Sequence, residues 1–321
     1  MNKQKIKNIL QSYGIVIVLL LLIIFFSVMS DRFLTMSNIF NILRQVSIVG
    51  IAAVGMTFVL ITGGIDLSVG SIIGVAGVGA AELMLIGVPP IVACLIMLVI
   101  STALGFLNAV FINKLLIPPL IVTLATMGAL RGLAYIITGG LPVFGFDPSF
   151  GKLGQGTTFG IPTPILVMAA VFIVGIIFIN KTRFGRYIYG VGGNEEAARL
   201  SGINTDAVRL IVYSISGFLS GIAGLVMLSR INSGQPNAGS GYEMDVITAV
   251  VLGGVSINGG EGKLGLVIVG VLIMGVLTTG MIMLNINDYV QQVVKGLVLI
   301  AAVGFDRLSQ AKKSKIVASE N

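Results

Sequence analysis

Runs of about twenty apolar residues follow one another through most of this chain with hardly a charge inside them, and that pattern admits few folds. A helix needs roughly 20 such residues to cross a hydrocarbon core about 30 Å thick. Only 10% of the residues are charged, where a soluble domain carries about 25%, so lipid is the solvent. Spans are predicted near 14–30, 38–62, 67–87, 90–113, 118–138, 164–180, 207–229, 244–257, 263–285 and 289–306. The eighth is short and Gly-rich, which makes it a candidate re-entrant or broken segment. The expected fold is all-α: a polytopic membrane bundle of about ten transmembrane helices, one domain over 1–321, with a basic tail at 307–321. Ten spans use roughly 200 positions, which leaves too few for a nucleotide-binding domain.

Glycine is abundant, at 43 of 321 residues. In membrane bundles small residues let helix backbones approach, because lipid gives helices no hydrophobic reason to associate. Gly70-x-x-x-Gly74 and Gly217-x-x-x-Gly221 have that spacing.

Several chemistries are excluded at once. The chain has no histidine and a single cysteine, Cys94, which removes histidine-based acid–base catalysis, most zinc sites and any intrachain disulfide. No catalytic residue, cofactor or metal site is assigned. The net charge of +7 comes from basic residues at membrane edges rather than from a basic fold, so nucleic acid is not an expected partner. Gly259-Gly260-Glu261-Gly262-Lys263 is not a phosphate loop, since Ile257 stands where its first glycine belongs and Leu264 replaces Ser/Thr.

Orientation follows from the positive-inside rule. Lys3, Lys5 and Lys7 precede the first span, which reads as a retained start-transfer helix. With the N-terminus inside, Lys114, Lys181, Arg183, Arg186, Arg199, Arg209, Lys263, Arg307, Lys312, Lys313 and Lys315 are inside too. Only Arg32, Lys152 and Arg230 are outside. Both termini are therefore expected in the cytoplasm. Two outer segments, 139–164 and 229–245, are rich in turn-forming residues.

One inner stretch, 181–202, is polar and tightly punctuated. Asn194 can cap a helix, Glu195 and Glu196 suit its positive end, Arg199 suits the other, and Gly202 can end it in the left-handed conformation. A water-facing helix between two spans is a docking knob for a soluble partner.

Four charged residues fall inside spans: Arg44, Glu82, Arg131 and Lys295. All sit about five to seven residues from the predicted outer ends, roughly 9 Å deep. One reading is a polar collar at the mouth of a translocation path, with Glu82 offsetting the positive charge. The other is that they snorkel to the outer headgroups. The break Gly63–Gly70 carries Asp66, a cap for the following helix or a substrate-facing hinge. A second break at 253–263 resembles it, which hints at a duplicated plan.

The runs at 55–71 (GMTFVLITGGIDLSVGS), 185–204 (GRYIYGVGGNEEAARLSGIN), 229–245 (SRINSGQPNAGSGYEMD) and 249–260 (AVVLGGVSINGG) resemble, in this order, the ribose-type permease family. These are membrane subunits of ATP-binding-cassette (ABC) sugar importers, and the likeness extends from about residue 15 to 306. It implies the ABC importer permease fold, a bacterial inner-membrane location, a cytoplasmic two-cassette ATPase, an extracytoplasmic sugar-binding protein and a second permease copy or related subunit. It also implies that Asn194, Glu195, Glu196, Ala197, Ala198, Arg199 and Gly202 form the ATPase-coupling helix. The longer importer motif is incomplete, because Ser214-Ile215 stands where a Leu-Pro pair belongs. Arg230, Glu243 and Asp245 are candidate contacts for the binding protein, or simply solubilise the membrane edge.

The expected function is thus a non-enzymatic permease subunit for a monosaccharide, ribose or a similar sugar. Thr57, Thr62, Ser71, Asn108 and Thr123 offer polyol contacts or helix-packing hydrogen bonds. An ion-driven secondary transporter would place an acidic or histidine site near the midplane, whereas histidine is absent and the one acid read well inside a span, Glu82, is near the outer edge. A channel would need no docking helix.

Overall fold

The computed structural model describes residues 3–320, with side chains described over 14–307. The basic side chains of Lys3, Lys5, Lys7, Lys312, Lys313 and Lys315 lie outside the described ones.

The chain forms α1 (Lys3–Met29), α2 (Met36–Ile61), α3 (Val69–Leu85), α4 (Pro90–Leu115) and α5 (Pro119–Thr138). A folded connecting segment follows, with a 3-10 turn (Pro148–Phe150), α6 (Gly151–Gln155) and the hairpin β1 (Thr157–Thr158) and β2 (Ile161–Pro162). Then come α7 (Thr163–Lys181), α8 (Arg183–Gly193), α9 (Glu195–Leu200), α10 (Thr205–Ile231), α11 (Tyr242–Leu252), α12 (Leu264–Met283) and α13 (Asp288–Glu320). Each predicted span falls on a helix, so the all-α membrane bundle is as expected. The count of ten is approximate. Seven helices among the described residues are long and apolar enough to cross a membrane, namely α2, α4, α5, α7, α10, α12 and the Asp288–Arg307 part of α13. The apolar parts Gly14–Met29 and Val69–Leu85 are shorter, and α11 has only 11 residues.

Helix α2 is the axis of the bundle. Every residue from Val46 to Ile61 is buried, as a helix apolar on all sides must be. Helices α10 and α12 pack beside it. Gly217 and Gly221 fit α10 against α4, where a Cβ on Gly221 would lie 2.8 Å from that of Ser101. By contrast α5 and α13 keep broad exposed apolar faces, including Leu120, Leu124, Ile136, Val293, Leu297 and Ile300, where lipid or another subunit takes the place of a core.

The eighth predicted span is discontinuous. After α10 the chain pairs Gly234 with Val143 and then descends beside α3 through successive turns. Gly234 meets Ala81, Pro236 and Gly239 meet Gly74, and Gly239 lies on Gly70. From Ala81 to Gly70 is a descent of about 16 Å at 1.5 Å per residue. Only then does α11 begin, inside the bundle. Irregular backbone at such depth is tolerated where protein or a water-filled cavity surrounds it, and the glycines at 70 and 239 permit the close approach.

The two Gly-rich breaks share one turn. After α2, Gly63 (φ +79°) bonds Leu60 O at 2.9 Å and Gly64 N bonds Val59 O at 3.1 Å. After α11, Gly254 (φ +80°) bonds Val251 O at 2.9 Å and Val255 N bonds Val250 O at 3.3 Å. Both turns need a left-handed residue that glycine supplies without strain. They also meet, through Gly260 N to Ile61 O at 2.8 Å.

Candidate functional site

At one end of the bundle α8 and α9 stand side by side between α7 and α10. Thr182 caps α8 by accepting from Gly185 N at 3.1 Å, and Asn194 caps α9 by accepting from Ala197 N at 2.9 Å. Gly202 (φ +83°) closes α9, with Ile203 N bonded to Ala198 O at 3.0 Å. The Asn194 and Gly202 caps are those expected from the sequence. Helix α8 is an addition, since only the second of the two helices was read there. Its glycines and tyrosines weaken the periodic signal, yet Gly185, Ile188 and Val191 form its buried side.

The residues of α9 divide by direction. Ala198 is buried, while Glu196, Ala197, Arg199 and Leu200 face outward, Leu200 being 81% exposed. Glu195 instead turns toward the chain's own α10. It pairs with Arg209 and, at 3.1 Å, with Arg199.

Behind this ion pair lies a polar network. Asp66 is fully buried. Its Oδ1 accepts from Ser68 N at 3.0 Å and Ser68 Oγ at 2.5 Å, and its Oδ2 accepts from Ser216 Oγ at 2.8 Å. Asn108 donates to Ser68 Oγ at 2.9 Å, and Thr126 donates to Asn108 Oδ1 at 2.7 Å. Burial raises the Asp66 carboxyl above its ordinary range, opposed by the hydrogen bonds from Ser68 and Ser216. The cap reading of Asp66 agrees with these bonds, since its carboxylate accepts from Ser68 N in the turn that opens α3. Ser68 is the residue before α3, and Asp66 ties that turn to α10. Asn108 and Thr123 also serve packing, Thr123 donating to Pro119 O and Ile65 O.

Of the four charges predicted to share a collar, two are brought together through α11. Arg131 Nη2 lies 3.1 Å from Glu243 Oε1, and Lys295 Nζ lies 2.7 Å from Asp245 Oδ2. These two acids stand two residues apart at the start of α11. The counter-charge is thus not Glu82, which takes part in none of the four ion pairs among the described residues. Arg44 is in none either, and its Nε is buried without a hydrogen bond.

Glu243 and Asp245 are also corrected as outer-surface contacts. Glu243 is 7% exposed and lies against Gly70, where any Cβ would strike its carboxylate. Glu243 and Asp245 are therefore inside the bundle, as Asp66 is. Sequence reading missed this because Ser229–Asp245 reads as an ordinary polar loop. The available signal was two carboxylates at the mouth of an apolar helix, matched by two lone cations in other spans. Arg230 stays at the end of α10, half-buried, with its carbonyl accepting from Gln155 Nε2 at 3.2 Å.

Residues 38–303 match the family model described as "Branched-chain amino acid transport system / permease component". The ribose import permease protein RbsC of Escherichia coli (strain K12) is 44% identical over 298 residues, 92% of this chain and 93% of that protein. RbsC of Bacillus subtilis (strain 168) is 43% identical over 306 residues, 95% of each chain. The L-arabinose transport system permease protein AraH of E. coli K12 is 42% identical over 309 residues, 96% of this chain and 94% of AraH. No solved structure matches.

Proposed function

This chain belongs to the permease-component family of the branched-chain amino acid transport type, and from that premise we propose that it is the membrane-spanning subunit of an ATP-driven, binding-protein-dependent monosaccharide importer. The observation that carries the reading is 42–44% identity, over at least 92% of the chain, to permeases for ribose and arabinose. A polytopic membrane chain of this family is a transporter component and not an enzyme. The substrate is ribose or a similar neutral sugar. ATP hydrolysis belongs to a two-cassette ATPase on the cytoplasmic side, where both termini also lie, and sugar arrives from an extracytoplasmic binding protein. Two permease subunits enclose the path.

In this reading the outward residues of α9 dock on the ATPase. Glu195 and Arg209 hold α9 to α10, so a push on α9 is delivered to α10 and, through Ser216 and Asp66, to the turn between α2 and α3. The pairs Arg131–Glu243 and Lys295–Asp245 bind α5 and α13 to the broken span and line the translocation path. Arg44 and Glu82 remain candidates at its mouth, and Arg230 with the exposed outer turns remains the candidate contact for the binding protein.

The test is uptake of labelled ribose and arabinose into cells lacking this chain and into cells with it restored. Restored uptake that stops on ATP depletion and survives an uncoupler supports the importer. Uptake that survives ATP depletion and stops with the uncoupler would make it an ion-driven transporter.

A further inference from the structure

Three of the chain's eight glutamines, Gln45, Gln291 and Gln292, line one cavity of about 620 Å³ enclosed by α2, α11, α12 and α13. So do both members of the Lys295–Asp245 pair. That volume is in the range of small-molecule sites, about 300–1,000 Å³. In a chain with 10% charged residues, collecting planar amides and an ion pair around one void is costly unless the void holds something polar.

The groups face the cavity with alternating sense. Gln291 is 6% exposed, and its Nε2 donates to Ile286 O at 2.8 Å and to Asp288 Oδ1 at 3.3 Å. Both amide hydrogens being so used, Gln291 presents its carbonyl oxygen as an acceptor. Gln45 Oε1 accepts from Thr279 at 3.5 Å, which leaves its amide hydrogens as donors. Lys295 supplies further donors and Asp245 further acceptors, and the carboxylates of Glu243 and Asp288 also line the cavity, the first paired with Arg131 and the second accepting from Gln291. The lining therefore offers hydrogen-bond donors and acceptors side by side. A neutral polyol needs both, because each hydroxyl donates and accepts. Val46, Met274 and Leu299 complete the wall and give an apolar surface for the C–H face of a sugar ring.

We propose that this cavity is a polyol site of the permease itself, binding a monosaccharide inside the single subunit, so that the sugar is selected a second time after release by the binding protein. The inference rests on the importer reading above.

The test uses membranes containing the assembled transporter. Cys94→Ser removes the native thiol, and Ser240→Cys places one on the exposed rim of the cavity. Alkylation by a small water-soluble maleimide is then timed with D-ribose, L-arabinose or no sugar. A transported sugar at ten times its dissociation constant should slow labelling about elevenfold. Gln45→Leu should abolish that protection while the complex still assembles. A thiol placed at Thr157, exposed on β1 and outside the cavity, should label at an unchanged rate.

Membranes that import the sugar but label Ser240→Cys at one rate at every sugar concentration would overturn the cavity site and leave the importer reading intact. Equal protection of the Thr157 thiol would overturn it too, since a global rearrangement would then explain the effect. Membranes that import neither sugar would overturn the importer reading, and the cavity proposal with it.

Discussion

Lys295 Nζ and Asp245 Oδ2 are 2.7 Å apart, and this pair fastens α13 to the broken span. The side chains are 21% and 14% exposed, so removing one partner strands a charge in a poorly solvated site. Lys295→Met should cost about 3–5 kcal/mol, whereas the double change Lys295→Met with Asp245→Leu should recover most of it. Thermal unfolding in detergent measures both. A single-mutant loss below about 1 kcal/mol would mark the pair as effectively solvated.

The descent of the chain beside α3 depends on Gly70. A Cβ there would strike both the Glu243 carboxylate and Gly239 O, while a Cβ at Gly74 finds its nearest neighbour at 3.7 Å. Gly70→Ala is expected to destabilise by at least about 1–3 kcal/mol, and Gly74→Ala by much less. The two glycines have the same helical spacing and the same sequence appeal, so equal effects would contradict the packing described.

On α9 the outward and inward acids should behave differently. Glu196→Lys and Leu200→Asp change exposed groups, so stability should move by no more than about 0.5 kcal/mol. Uptake and co-purification of the ATPase should nevertheless fall. Glu195→Ala should in addition loosen α9 from α10 by removing the partner of Arg209. Gly202→Pro, at φ +83°, cannot keep the turn that ends α9, and should uncouple transport while the chain remains in the membrane. Wild-type uptake in both Glu196→Lys and Gly202→Pro would remove the docking assignment.

Asp66 serves three donors, two from Ser68 and one from Ser216. Asp66→Ala strands them, at about 1–3 kcal/mol for each buried group left unpaired. Asp66→Asn keeps a carbonyl acceptor and should be milder, because burial already disfavours the charged carboxylate. Comparing the unfolding of the two variants separates the hydrogen bonds from the charge. An Asn variant as unstable as the Ala variant would show that ionised Asp66 is required.

Much of the architecture was legible because lipid makes hydrophobic length a direct readout of span position. The positions of the long apolar helices, the shortness of the eighth predicted span, and the caps at Asn194 and Gly202 depend on local runs and local backbone preferences, and they follow from the residues themselves. The likeness of the Gly63 and Gly254 turns was visible as a pattern of paired glycines. Their contact through Ile61 and Gly260 was not.

Tertiary structure alone decided which charges belong together. Arg131 and Glu243 are 112 residues apart in sequence, and no periodicity links an arginine in one span to a carboxylate in what reads as a loop. Depth counted along one helix put Glu82 beside Arg131 and Lys295, but depth says nothing about azimuth, and azimuth determines the partner. Nor does the polarity of 233–241 tell where it lies. Its residues suit either water outside the bundle or a polar interior, and only the missing side chains of Gly70 and Gly239 on facing elements make room for it inside. Local sequence thus determined the helices and their ends, while close packing between distant segments determined the broken span and the ion pairs that hold it.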